Sequence, residues 1–169
     1  GRFAVRQDVT PQDLGALRYL GAFLVALPLA WRFGLPRIAP HRLAAVMATA
    51  GLGFPMLAYF AFANAPAAHG AVIMSAGLPV ATAILAALVF REIPSPRRIA
   101  CLAAIVAAAL LLALDGTASP PGAWIGDLLY AAASVAWAGF TLLVRHWRLP
   151  ALGTTLAIAL TGAPIYLPI

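Results

Sequence analysis

The chain has 169 residues, of which 63% are hydrophobic and 9% are charged, with a formal net charge of +6. A soluble domain carries roughly 45–50% apolar and about 25% charged residues, so this composition excludes an ordinary globular domain and points to a protein that lives in lipid. The basic balance comes from 11 arginines and 5 acids, with no lysine, placed between apolar runs. That distribution gives no case for a nucleic-acid-binding tail or patch.

The first residues, GRFAVRQDV, begin without Met and lack the positive start, apolar middle and small-residue cleavage site of a signal peptide. The chain therefore reads as a segment that starts inside a longer protein. Charge-free apolar runs follow at Tyr19 to Trp31, Leu43 to Ala63, Gly70 to Phe90, Ile99 to Leu114, Leu128 to Val144 and Ala151 to Ile169. The second and third would each rise about 31 Å as helices, which matches the ~30 Å hydrocarbon core of a bilayer. Shorter runs reach spanning length when extended back to Leu14 and to Ala123, which brings Arg18 and Asp127 near the interface. Six spanning helices are expected, the last cut off by the end of the sequence. No run alternates polar and apolar residues as a barrel strand would. The single cysteine, Cys101, lies inside the fourth run, where it reads as a small packing residue and supports neither a disulfide nor a multi-cysteine metal site.

Charge in the connections orients the bundle. Residues 32–42, 91–98 and 145–148 hold Arg32, Arg37, Arg42, Arg91, Arg97, Arg98, Arg145 and Arg148 with one acid, Glu92. Residues 64–69 and 115–127 hold no arginine and two acids, Asp115 and Asp127. Arginine-rich connections stay in the cytoplasm, so these connections are expected on the inner side of the membrane.

The third run ends in FREIPSPRR (90–98). Ser95 is placed to cap the next helix, Pro96 suits its first turn, and Arg97 and Arg98 hold that end in the anionic interface. Two prolines stand near the middle of the second and third runs. Pro79 cannot donate to the carbonyl of Ser75, nor Pro55 to that of Gly51, so a mid-membrane break is expected in both the second and third runs. Gly51, Gly53, Ser75, Ala76 and Gly77 surround these positions, and small residues let backbones approach closely. VRQDVTP at 5–11 and VRHWRLP at 144–150 share Val-Arg and a proline at one spacing. That faint repeat implies a five-helix unit, and an odd unit inverts its second copy in the membrane.

Three stretches carry a resemblance: LGALRYLGAFLVALPLAW (14–31), AAHGAVIMSAGLPVATAILAALVFREIPSPRR (67–98) and GDLLYAAASVAWAGFTLLVRHW (126–147). In content and order they resemble the EamA-type transporters of the drug/metabolite transporter superfamily. Pro79 and Glu92 fall on that family's best-kept proline and glutamate, and Arg18 and Trp137 on its usual arginine and tryptophan. Arg91 stands where the family usually has glycine, and His69 is unusual at its position.

The resemblance implies an all-α polytopic transmembrane bundle, a fragment of a ten-helix carrier with two inverted five-helix repeats. Residues 1–115 would be the first repeat lacking most of its first helix, and 116–169 the start of the second, with its first helix and part of the next. The implied function is a secondary transporter that exports small metabolites, such as amino acids or drugs, by alternating access. The expected partners are a small-molecule substrate and the lipid bilayer, with a homodimer left open and no nucleic acid.

Phe54, Tyr59, Trp137 and Phe140 are candidates for the wall of a cavity, since ligand sites are mostly apolar with a few polar groups. Ser75 is a further candidate, and Pro55 and Pro79 are candidate gate kinks. His69 stands alone among titratable groups at the outer start of the third run, and histidine can change charge between pH 5 and 8. Arg18 and Glu92 read as structural charges. An arginine inside a span costs ~2.5–3.5 kcal/mol unless it snorkels or pairs, here with Asp13 or Asp8, and Glu92 would pair among the arginines of its own turn.

Other readings fit less well. A small subunit that dimerises into a multidrug exporter needs a weak charge bias, whereas the bias here is strong. A non-transporting membrane scaffold predicts no transport defect when the proline region is broken. An enzyme is not expected: His69 and Ser75 lie about 120° apart on a helix, no Gly-x-Ser-x-Gly elbow is present, and there is neither a metal cluster nor a phosphate-cradling glycine loop. No cofactor is expected.

Overall fold

The computed structural model describes residues 11–34, 38–114 and 122–166, which form helices joined by short turns with no strand among them. The first copy of the faint repeat lies almost wholly outside these residues. The elements are α1 (Pro11–Phe33), α2 (Pro40–Val46), a π turn (Met47–Gly51), α3 (Gly53–Asn64), α4 (Ala67–Phe90), α5 (Pro96–Leu114), α6 (Ala123–His146) and α7 (Ala151–Tyr166).

Among the described residues, four stretches are long and apolar enough to cross a bilayer: Gly15–Phe33, Pro40–Asn64, Ala67–Phe90 and Ala123–His146. The fourth and sixth expected runs form α5 and the shorter apolar helix at Ala151–Ile165. The architecture is a polytopic helix bundle, as the runs implied. Local chemistry sets its boundaries. Asp13 in the first turn of α1 and Arg32 in its last complement the helix dipole. The hydroxyl of Ser95 accepts from the Arg98 amide at 3.4 Å, and α5 begins at Pro96.

Helix α6 lies between α3 and α4, and α1 packs along α7 and touches α3. These partners are distant in sequence. In lipid, helices gain nothing from hydrophobic transfer when they meet, so association depends on close van der Waals fit between small residues. The seams here are made that way. Ala61, Ala65, Ala76, Ala83, Ala86, Ala133 and Ala138 are buried, and Gly70 and Gly77 of α4 lie against Tyr130 and Ser134 of α6. On α7, Gly162 faces the ring of Tyr19. The leftover surface is apolar: Leu24, Val25, Leu88, Val89, Leu110 and Leu111 are exposed, as side chains facing acyl chains would be.

Both ends of the bundle segregate by charge. At one end the Arg42 guanidinium lies 5.6 Å from the Trp147 ring centre, and Arg145 pairs with Glu92. At the other, His69 meets Asp127 and Ala65 meets Gly126. Among the described residues, Arg42, Arg145 and Glu92 thus gather at one end and His69 and Asp127 at the other.

Candidate functional site

The span Pro40–Asn64 is interrupted where Gly51, Leu52 and Gly53 meet Pro55. The Leu52 amide donates to the Met47 carbonyl at 2.6 Å, five residues back, and the α-helical ladder resumes with Met56 donating to Leu52 at 3.0 Å. Pro55 sits in the first turn of α3, where its missing N–H leaves no helical bond unmade. The break therefore precedes the proline, and the extra residue is held in a π turn, a form often found at functional sites. Gly53 makes the turn possible. A Cβ there would lie 2.1 Å from the Ala48 carbonyl oxygen. The Thr49 hydroxyl bonds to the Ala45 carbonyl at 2.9 Å, and the Thr161 hydroxyl oxygen of α7 lies 3.1 Å from Met47 Sδ.

The second expected break is absent. Helix α4 runs unbroken from Ala67 to Phe90 with Pro79 inside it. The Thr82 hydroxyl donates to the Leu78 carbonyl at 2.8 Å on the following turn. Ser75 is exposed and donates to the Val72 carbonyl at 3.0 Å, so its hydroxyl does not cap the carbonyl that Pro79 frees. Proline removes one bond from a long helix, and neighbouring turns carry the rest.

Beside the π turn lies a crevice of about 420 Å³ between α1, α6 and α7. Trp137 and Phe140 form its α6 wall, Thr154, Thr155 and Ile158 its α7 wall, and Ala50 of the π turn closes one side. Trp137 packs between Phe54, at 4.8 Å between ring centres, and Phe140, at 5.4 Å, with the rings tilted to each other by 57° and 56°. Of the residues singled out by sequence, Phe54, Trp137 and Phe140 come together here, with Pro55 buried on the same turn. Tyr59, Ser75 and Pro79 are not among the lining residues. Arg18, read as a structural charge, lines the crevice with Tyr19 and Ala22. Asp8 lies outside the described residues. A larger hollow of about 790 Å³ at Leu27, Pro28, Ala30, Trp31 and Leu160 opens outward and is walled by apolar side chains alone. It suits acyl chains rather than a polar ligand.

Helices α4 and α6 run parallel and are tied at both ends. His69 Nδ1, in the first turn of α4, lies 2.9 Å from Asp127 Oδ1, near the start of α6. At the far ends, both Arg145 guanidinium nitrogens donate to the Glu92 carboxylate, one of them at 3.1 Å. Glu92 therefore pairs across the bundle rather than within its own turn. Histidine 69 is likewise a helix residue with a partner, not a solvated loop group. Neither pairing is visible in sequence, because it needs α6 beside α4. The one available signal is that both pairs join residues placed at the same end of their spans.

The Arg145 hydrogen bond lowers the Glu92 pKa from its ordinary 4.5, against a smaller opposing effect of burial, with the charges of Arg145 and Arg98 helping. A lowered folded-state pKa contributes stability that is complete above the ordinary value and lost as pH falls through the folded one. The melting-temperature difference between the natural protein and Arg145→Gln is thus expected to be constant above about pH 4.5 and to shrink below it. A difference that grows on acidification would refute the assignment.

The family model for the EamA-like transporter family matches residues 1–114. The chain belongs to the EamA-like transporter family. It is accordingly a multi-pass membrane protein of a transporter family of the drug/metabolite type, as the three stretches implied. No curated protein and no solved structure matches it.

At Arg91, where the resemblance implies glycine, the backbone has a conformation that favours glycine. Arg91 ends α4 at φ 55° and ψ 29°, a left-handed conformation in which glycine pays no Cβ penalty. Arg91→Gly is therefore expected to stabilise the protein by about 1 kcal/mol, read as a raised melting temperature. An unchanged or lowered value would show that the arginine side chain offsets the strain.

Proposed function

We propose that this chain contains the substrate path of an inner-membrane secondary transporter that exports small metabolites by alternating access. Residues 1–115 are read as most of a first repeat and 116–169 as the start of an inverted second one. The observation that carries the reading is the aromatic pair Trp137 and Phe140 on the crevice wall, backed by Phe54 and directly beside the π turn. A crevice of about 420 Å³ falls in the size range of small-molecule sites, and its mix of aromatic walls with few polar groups is typical of them. The interrupted span supplies a place to bend, since its amides and carbonyls are already outside the regular ladder. Pro55 keeps its candidacy as part of that hinge. Pro79 would contribute a softer bend within a continuous α4, and Tyr59, Ser75 and His69 would act outside the crevice.

The reading is tested by mass spectrometry of the medium from cells producing the intact protein against empty-vector cells. A metabolite that accumulates outside only when the protein is present supports export. No difference across rich and amino-acid-loaded media would refute it in favour of import or a non-transporting role.

A further inference from the structure

The crevice has one charged side chain among the described residues that line it, Arg18. Helix α1 brings this residue to the wall through its own register: Tyr19 packs against Gly162 and Ala163 of α7, which turns the neighbouring Arg18 and Ala22 toward the space facing α6. The rest of the wall has a definite chemistry. Trp137, Phe140 and Ile158 are apolar surfaces, and the hydroxyl hydrogens of Thr154 and Thr155 are committed to the carbonyls of Pro150 at 2.9 Å and Ala151 at 3.0 Å. Among the described residues, no carboxylate lines the crevice to meet a ligand's ammonium group.

From these groups we infer that the crevice selects an organic anion: a small molecule with an apolar or aromatic body and a carboxylate that docks on the Arg18 guanidinium. This rests on the crevice being the substrate path proposed above and narrows that reading from small metabolites in general to one charge class. A guanidinium presents a planar fork of donors that matches a carboxylate in two parallel bonds, and such charge-assisted bonds are shorter and stronger than neutral ones. The same cation opposes a positively charged guest of equal shape. The tilted ring pair Trp137 and Phe140 on α6 supplies the surface for the apolar body. Arg18 is then a specificity-determining residue rather than an anchor for the end of its helix.

The test uses three probes of nearly one shape and different charge: 3-phenylpropanoate, 3-phenylpropanamide and 3-phenylpropylamine. Binding of each is measured to the intact protein reconstituted in phosphatidylcholine vesicles. The anion is expected to bind at least about tenfold more tightly than the amide and more tightly still than the amine. Arg18→Gln should remove the preference, Arg18→Lys should keep part of it, and Arg32→Gln, at the opposite end of the same helix, should leave it intact. Equal binding of the three probes, absence of binding by all three, or a preference that survives Arg18→Gln would overturn the inference. So would loss of anion binding when phosphatidylglycerol is added to the vesicles, because Arg18 would then serve the lipid surface. Counterflow of the labelled anion across the same vesicles separates this inference from the carrier reading. An anion bound through Arg18 but not carried leaves the site standing and removes the carrier, whereas export without charge preference does the reverse.

Discussion

Gly126→Ala is expected to destabilise the protein by about 3 kcal/mol, the upper part of the range for overpacking a close-packed interior. A Cβ at position 126 would lie 2.4 Å from the Ala65 Cβ, 2.7 Å from the Ala65 nitrogen and 3.0 Å from the Ala61 carbonyl oxygen. These are backbone atoms or a methyl group fixed to the backbone, so no side chain can swing aside. Ala65 also lies in the short turn between α3 and α4, and its amide bonds to Ala61 at 2.8 Å. Relief therefore requires α6 to move away from both helices it joins, opening the cluster of Ala61, Ala65, Ala123 and Tyr130. Gly139→Ala on the same helix is the control. Its Cβ would meet only Thr49 Cγ2 at 3.8 Å, an ordinary contact. The melting temperature of the purified protein should fall sharply for Gly126→Ala and hardly move for Gly139→Ala. Similar values for both would mean that the seam is looser than described.

Trp137→Ala is expected to lower export by about tenfold or more at equal membrane abundance, since each aromatic pair contributes about 0.5–1.5 kcal/mol beyond area burial and Trp137 makes two. The ring is half-buried, so its loss widens the crevice without emptying a sealed core. Phe54 would then face the space that the indole filled. Trp137→Phe should retain most of the rate by restoring a ring between Phe54 and Phe140. Ser75→Ala should leave it unchanged, because Ser75 is exposed and spends its hydroxyl on its own helix. The rate of metabolite appearance in the medium is the readout. A natural rate in Trp137→Ala, with abundance unchanged, would remove the crevice from the transport path.

The site was partly legible. Phe54, Trp137 and Phe140 are candidates on composition alone, as aromatics among small residues, and they do meet. Arg18 reads in sequence as a span-end charge, and only the packing of Tyr19 on α7 shows that it also lines the crevice. Glu92 was assigned the wrong partner for a similar reason. Arg97 and Arg98 are close in sequence, whereas Arg145 becomes close only when α6 lies along α4. The Pro55 region was flagged correctly as interrupted, but the π turn lies ahead of the proline, at the point where Gly53 allows the Ala48 carbonyl to approach. Pro79 carried the same sequence signal as Pro55 without the same outcome, because α4 has no such close approach around it and continues as helix.

By itself the sequence determined where the helices run, which connections share a side, where α5 starts, and the family to which the chain belongs. Each follows from terms that are local and nearly additive: the transfer of an apolar segment into lipid, the charge of a short connection, the capping chemistry of Ser95 and Pro96. Only the tertiary structure decided that α6 lies between α3 and α4, that His69 meets Asp127 and Glu92 meets Arg145, and that a crevice lined by Arg18 opens beside the π turn. Helices already in lipid bury no further surface from water when they associate, so their partners are chosen by shape, a glycine opposite a tyrosine ring or a methyl group. Shape arises from two surfaces at once.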